Sequence, residues 1–317
     1  MASNGRLLAG VELGGTKCVC ILGRGPHDVI AMERIPTTTP EQTLQGIQDV
    51  FSSWRPAYGR PHALGIASFG PLDLRPESPT FGSILATSKV GWRNTDVARR
   101  LAHDLEAPIG LDTDVNAAAL AEGRWGAARG LNDYAYVTVG TGIGVGNIVR
   151  GRSIFGSNHT EVGHIRVVRR PDDSFPGICP FHSDCIEGLA SGPAIKSRAG
   201  VDPNLLPPDH PTWNYIVHGL AQLLHTVLLT TAPERVFLGG GVMNGQEHLF
   251  GRIREELRHS LNGYIDSLQL KSTLNGFILP PGLGAMAGPL GALALAADAA
   301  DAADRSAANN KPSVYMT

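Results

Sequence analysis

The feature that most restricts how this 317-residue chain can fold is a pattern that occurs twice. From Leu7 to Leu22 an apolar run breaks at Gly14-Gly15-Thr16-Lys17 and resumes with the β-preferring residues Cys18-Val19-Cys20-Ile21. About 126 residues later the apolar run Tyr134 to Val139 breaks at Gly140-Thr141-Gly142-Ile143-Gly144-Val145-Gly146 and resumes over Asn147 to Val149. Strand, glycine turn and strand, repeated at that distance, predict two lobes of related construction, each presenting backbone N–H groups to a shared cleft. A Walker-type loop is excluded, because it must lead into a helix and its G-x-x-x-x-G-K-[ST] spacing is missing. The 39 glycines, about 12% of the chain against a usual ~7%, point the same way, since glycine collects where backbone turns with positive φ or approaches a ligand.

Charge and hydropathy remove other classes. Lys and Arg number 27 against 29 Asp and Glu, a formal net charge of -2, so no global basic field exists to attract nucleic acid. No apolar stretch reaches the ~18 to 20 residues that span a bilayer, and Met1-Ala2-Ser3-Asn4-Gly5-Arg6 lacks a secretory h-region, so no membrane partner and a cytoplasmic setting are expected. Between the glycine turns, Thr39-Pro40 offers an N-cap and a Pro at N1 before Leu44, Ile47, Val50, Phe51 and Trp54, which recur at helical spacing. Ala63 to Ser68 reads as a buried strand ending in Phe69-Gly70-Pro71, and Ile109 to Leu111 as a short one ending in Asp112-Thr113-Asp114, after which a helix begins. Trp213 to Leu228 carries a long helical stripe ending near Pro233, and a strand from Arg235 to Leu238 runs into Gly239-Gly240-Gly241.

Several of these places can carry chemistry, each beside a plainer alternative. Gly14-Gly15-Thr16-Lys17 supplies backbone donors, a hydroxyl and a cation suited to a nucleotide phosphate, or is a hairpin turn with a solvated Lys. Gly140, Thr141, Gly142 and Gly144 can form a second such cradle, and Gly239-Gly240-Gly241 can let an adenosine lie against backbone or simply turn a strand into a helix. Asp114, between a strand and a helix, can act as general base towards a substrate hydroxyl or cap the helix. Cys179, His182 and Cys185 lie three apart in a Pro/Gly-rich loop, and His164 can complete a tetrahedral Cys2His2 zinc site, closed and therefore architectural; chance proximity of buried thiols and exposed His is the alternative. Glu161 and Glu187 flank this cluster, as groups for sugar hydroxyls or as charged surface. Cys18 and Cys20 are expected as buried, reduced thiols.

Together these residues resemble the ROK family of sugar kinases within the actin-like ATPase superfamily, and inside it the fructokinase branch; the resemblance runs from about Gly10 to Leu295. It implies an α/β, two-lobed actin-like ATPase (ribonuclease-H-like) fold with a zinc-binding loop in the larger lobe. The implied division is a small lobe over 1–115, a larger lobe over 116–282, a C-terminal helix over 283–299 returning to the small lobe, opened by Leu283-Gly284-Ala285, and a disordered Ala/Asp-rich tail over 300–317. Glu12, where most members carry Asp, joins Gly14, Gly15, Thr16 and Lys17 in the first phosphate loop, and Gly140, Thr141, Gly142 and Gly144 form the second. Gly239, Gly240 and Gly241 fall at the adenosine site. Thr113-Asp114-Val115-Asn116 matches the Asn-Asp-Ala-Asn motif, giving the base to Asp114 and a sugar contact to Asn116; Thr113 in place of the first Asn favours the fructokinase branch. Glu161, His164 and Glu187 match sugar-contacting positions, Gly70 is placed beside the sugar, and Gly91-Trp92-Arg93 resembles a segment bordering the cleft. The zinc loop departs from the common Cys-x-Cys-x-x-x-x-Cys arrangement. The implied activity is transfer of phosphate from Mg-ATP to the 6-hydroxyl of D-fructose, by a homodimer, with structural Zn2+. Kinases for mannose, glucose or N-acetylated amino sugars, a sugar-binding protein without catalysis, and a repressor are the alternatives; the repressor needs a DNA-binding segment of roughly 60 to 80 residues where only nine precede Gly10.

Overall fold

The computed structural model describes residues 5–105, 107–265 and 274–309. The chain divides into two compact units, Met1–Ala118 with Gly288–Thr317, and Ala119–Ala287.

The first unit is built on strands β1 (Leu8–Leu13), β2 (Lys17–Gly25) and β3 (Asp28–Pro36), helix α1 (Pro40–Tyr58), strand β4 (Ala63–Ser68), the short strands β5 (Ser83–Ile84) and β6 (Thr95–Asp96), helix α2 (Ala98–Leu105), strand β7 (Ile109–Thr113) and the start of helix α3 (Asp114–Trp125). Its sheet runs β3-β2-β1-β4-β7, antiparallel across the first three strands and parallel from β1 through β4 to β7. Thr39 caps α1, accepting the Gln42 N–H, and Pro40 starts it. The apolar stripe of α1 (Leu44, Ile47, Phe51) joins Val11, Leu13, Cys18, Cys20, Leu64 and Ile66 in one core.

The second unit repeats the plan. Strands β8 (Tyr134–Val139), β9 (Ile143–Val149) and β10 (Arg152–Ser153) precede α4 (Ile186–Ala190), α5 (Gly192–Ala199) and α6 (Thr212–Thr231), then β11 (Arg235–Gly239), α7 (His248–Leu261) and β12 (Ile278–Leu279). The sheet order is β10-β9-β8-β11-β12, again three antiparallel strands followed by two parallel ones. Its core gathers Trp213, Ile216, Leu220, Leu224 and Val227 of α6 with Val137, Val139, Val145 and Leu238 of the strands. The repetition expected from the two glycine turns is therefore a repetition of topology.

The last helix, α8 (Ala287–Asn309), belongs to the first unit from Gly288 onwards. It lies on a row of three glycines that register places side by side, Gly10 opposite Gly65 and Gly65 opposite Gly110. A Cβ at Gly65 would stand 1.8 Å from the Ala292 carbonyl oxygen and one at Gly110 2.2 Å from that of Leu295, so helix backbone touches sheet backbone. Part of the glycine excess thus serves helix-on-sheet packing, where only ligand approach and turns were expected. The sequence boundary at 299 is also corrected: α8 continues to Asn309, because its Ala-rich last turns have high intrinsic helix propensity and Arg6 pairs with Asp301 and Asp304. The remainder of the expected tail, 310–317, lies outside the described residues. Among the described residues no helix is long and apolar enough to cross a membrane.

Candidate active site and metal cage

In the first unit the end of β1, the turn after it and the β7–α3 junction carry the titratable groups. Thr113 Oγ1 accepts the Asn116 N–H at 3.2 Å, so Thr113 is the N-cap of α3 and relieves Asp114 of that duty. Asp114 sits in the first turn with Oδ1 accepting the Val115 N–H at 2.8 Å. Burial pushes its carboxyl up to about 6, the neighbouring Asp112 adding to the rise while backbone hydrogen bonds oppose it. Glu12 is raised further, to about 7, first by burial and then by the charge of Asp114, with Lys17 and Arg34 pulling the other way. The asymmetry has a simple origin: Asp114 ionises first and meets a neutral Glu12, whereas Glu12 ionises second beside a charge. A Cβ at Gly288 would lie 2.1 Å from Glu12 Oε1, so the side chain fills the space that glycine leaves at the start of α8. Asn116 is buried, its Nδ2 donated to Asp112 at 2.8 Å, so the structure gives it a part in holding the junction.

The first glycine turn leads directly into β2, as the sequence predicts, with the Gly14 N–H donated to the Lys17 carbonyl at 3.1 Å. Gly70 follows β4 beside Phe69, whose ring meets Trp92 edge-on at 5.3 Å. Trp92 is fully buried and donates Nε1–H to the Thr38 carbonyl at 2.8 Å. Two further contacts with the turn escaped sequence reasoning: Thr37 donates to the Gly14 carbonyl and Lys89 to the Gly15 carbonyl. Neither residue falls in a periodic pattern, and only the fold brings them to the turn. Asp73 was missed for the same reason; it is buried, and Arg75, Ser78 and Thr80 donate to its carboxylate, which holds it well below the usual range.

In the second unit the loop after β10 makes a cage. His164, Cys179, His182 and Cys185 bring their ligand atoms within 4.8 Å of one another. His164 Nδ1 lies 3.7 Å from Cys179 Sγ and 3.5 Å from Cys185 Sγ, and His182 Nδ1 lies 3.7 Å from Cys179 Sγ. Tetrahedral zinc, with Zn–S ~2.3 Å and Zn–N ~2.0 Å, separates a sulfur from a nitrogen ligand by about 3.5 Å, so the residues present fit the ion. Burial pushes the Cys185 thiol up to about 11, and a divalent cation is the charge that would make it a thiolate. All four cysteines are free of disulfides, and Cys18 and Cys20 are buried as expected.

The cage is fastened to the sheet. Gly163 passes so near β9 that a Cβ there would stand 1.7 Å from the Ile143 carbonyl oxygen, which explains the glycine between Glu161 and His164. Glu187, two residues beyond Cys185, accepts the Ile143 N–H through Oε2 at 3.0 Å and sets Oε1 3.9 Å from His164 Nε2. His164 therefore offers Nδ1 to the cage and turns Nε2 towards Glu187, at a separation longer than a hydrogen bond. Glu161 is half-exposed, 3.4 Å from the buried His159.

The second glycine turn is next to the same elements. The Gly140 carbonyl accepts the Gly192 N–H at 2.7 Å, and Gly142 lies against Glu187. Gly240 has φ of +97°, and its backbone crosses the end of β8 so closely that a Cβ would lie 2.4 Å from the Val139 carbonyl oxygen. Thus Gly140, Thr141, Gly142, Gly144, Gly239, Gly240, Gly241, Glu187 and the cage are gathered in one unit, while Glu12, Gly14, Gly15, Thr16, Lys17, Gly70, Asp114 and Asn116 are gathered in the other.

Known proteins resemble this chain over most of its length. The family model described as ROK family matches residues 8–299. A fructokinase of Zymomonas mobilis is 41% identical over 300 residues, 93% of this chain and 98% of that protein. A fructokinase of Pediococcus pentosaceus is 40% identical over 290 residues, 92% of this chain and 97% of that protein. The crystal structure of a ROK hexokinase from Thermus thermophilus superposes with a TM-score of 0.75 at 28% identity, covering 94% of this chain and 99% of that one.

Proposed function

Because the chain belongs to the ROK family, and so has the two-lobed actin-like ATPase fold of its sugar kinases, we propose that it transfers the γ-phosphoryl group of Mg-ATP to the 6-hydroxyl of D-fructose. The observation that carries the choice of sugar is the identity of about 40% to fructokinases over more than nine-tenths of the chain. Asp114 takes the proton from the C6 hydroxyl as its oxygen attacks the γ-phosphorus, the bond to the bridging oxygen breaks, and ADP leaves. A carboxyl raised to about 6 suits this role, being ionised at neutral pH yet more basic than an ordinary Asp. Those N–H groups of the turns at Gly14 to Lys17 and Gly140 to Gly144 that are not spent within the protein, with the Lys17 ammonium, neutralise the phosphates, and Gly239 to Gly241 line the adenosine. Little covalent chemistry is asked of the protein, and alignment with charge neutralisation supplies most of the acceleration.

Glu161, Glu187 and the Nε2 edge of His164 hold the sugar hydroxyls. Zn2+, held by His164, Cys179, His182 and Cys185, would supply rigidity: four protein ligands close the coordination sphere and leave no position for substrate. The cage sets the orientation of His164 and, through the short helix after Cys185, of Glu187.

The test is release of ADP with Mg-ATP and fructose, mannose, glucose or N-acetylated amino sugars at equal concentration. Strong preference for fructose is the expected result, and preference for another hexose would overturn the choice of sugar. Asp114→Ala should lower kcat by about 10²- to 10⁴-fold while sugar binding, measured by calorimetry, persists; near wild-type turnover would overturn Asp114 as base.

A further inference from the structure

The first glycine turn is tied down on its carbonyl side by three donors. Thr37 Oγ1–H donates to the Gly14 carbonyl at 2.7 Å, Lys89 Nζ donates to the Gly15 carbonyl at 2.5 Å, and the Thr37 N–H donates to the Thr16 carbonyl at 3.0 Å. In a trans peptide plane the C=O and the next residue's N–H point in opposite directions. Fixing the Gly14 carbonyl therefore fixes the Gly15 N–H on the far side, and fixing the Gly15 carbonyl does the same for the Thr16 N–H. Among the described residues neither of these N–H groups has a protein acceptor. Successive N–H groups aimed one way make an anion cradle, and rotation of either glycine peptide would replace a donor by a carbonyl that repels phosphate. Glycine makes such rotation easy, so an unsupported Gly14-Gly15 turn would populate both states.

The supports are themselves held. Thr37 Oγ1 lies 3.2 Å from Cys18 Sγ, and since Thr37 donates to Gly14, the buried thiol is the donor in that second contact. Lys89 is carried on a segment anchored by Trp92, whose indole binds the carbonyl of Thr38, the neighbour of Thr37. The second unit solves the same problem with backbone: the Gly192 N–H fixes the Gly140 carbonyl at 2.7 Å, which orients the Thr141 N–H. We infer that Thr37 and Lys89 are positioning residues for the first phosphate loop, holding the Gly14 and Gly15 carbonyls away so that the Gly15 and Thr16 N–H groups face the terminal phosphates of a nucleoside triphosphate. This rests on the ATP-binding part of the proposed function and is independent of the sugar.

The experiment compares Thr37→Val, Thr37→Ser, Lys89→Met and Lys89→Arg with wild type, by calorimetric Kd for ATP and ADP and by KM for ATP and for sugar separately. Thr37→Val removes one support with no change of charge and nearly no change of shape. It should weaken ATP binding by about 3- to 10-fold, the worth of one hydrogen bond, and leave sugar KM unchanged, with Thr37→Ser restoring affinity. Lys89→Met should weaken ATP by at least as much, Lys89→Arg should recover most of it, and the defect should persist in 0.5 M salt, where long-range attraction is screened. Wild-type ATP affinity in Thr37→Val, an equal loss for ATP and sugar, or a Lys89→Met defect that disappears in salt would each overturn the inference. Wild-type protein that binds ATP but phosphorylates no sugar would sink the proposed reaction while these affinities still decide the role of Thr37 and Lys89; failure to bind ATP at all would sink both.

Discussion

Replacing Glu12 by Gln should make the protein more stable in alkaline solution while impairing its activity. The folded chain holds the Glu12 carboxyl at about 7, against an ordinary 4.5, chiefly by burial and next by the Asp114 charge. Between those two values the native state keeps a proton that the unfolded chain has released. Stability associated with Glu12 is therefore intact below about pH 4.5 and is lost as pH rises through 7. A gap of about 2.5 units at ~1.36 kcal/mol each gives about 3 kcal/mol, which partial solvent access to the half-buried carboxylate trims towards about 2 kcal/mol. Glutamine keeps the neutral shape at every pH. The variant's advantage should consequently grow by about 2 kcal/mol between pH 5 and pH 8.5, where the wild type must carry a buried charge. Urea unfolding at the two pH values measures this, and in a thermal scan the alkaline gain should be roughly 4 to 8 °C. Stability of Glu12→Gln at pH 8.5 equal to or below that of wild type, or a gain of the same size at both pH values, would refute the reasoning. A stabilised but slow variant would mark Glu12 as a residue kept at the expense of stability.

Three other outcomes follow from the same geometry. The acid limb of kcat/KM should reflect Asp114, with activity falling about tenfold per pH unit below about 6 as the base is protonated; a profile flat down to pH 5 would contradict it. Removing metal with a chelator should lower the melting temperature and raise the KM for sugar more than that for ATP, whereas a fully demetallated sample with an unchanged melting curve would argue against a structural cage. Gly65→Ala should destabilise by about 3 kcal/mol or more, because its Cβ would meet helix backbone at 1.8 Å, while Gly251→Ala, with nothing within 4 Å, should be neutral or stabilising; similar behaviour of the two would remove the packing argument.

Much of the scaffold can be read from local pattern. The strand from Ala63 to Ser68, the capped helix beginning at Pro40 and the apolar stripe of Trp213 to Leu228 all stand where periodicity and capping residues put them, because each buries a continuous apolar face. The Cys and His residues of the cage were legible because three of the four lie on one short loop. What depends on register or on distant contacts was not. Gly10, Gly65 and Gly110 are unremarkable one at a time, and become a row only when three strands align. Thr37 and Lys89 carry no local signal, and their meaning comes from carbonyls at positions 14 and 15. The end of α8 runs past 299 without large apolar residues, because alanine favours helix on its own and the far-off Arg6 pairs with Asp301 and Asp304, a contact that no local pattern announces.

The glycine row also sets an order of events during synthesis. The face of the first sheet made by Gly10, Gly65 and Gly110 lies against α8, which begins at Ala287. At 5 to 20 residues per second a ribosome needs roughly 10 to 30 s to make the stretch between Ala118 and Gly288. Throughout that interval the early strands can close on α1 with one face but their glycine face has no helix to meet, while the second unit is continuous from Ala119 to Ala287. A chaperone that guards a nascent chain of this kind should therefore be found on its earliest segment, and it should let go when the last helix emerges. The part of the protein made first is finished last.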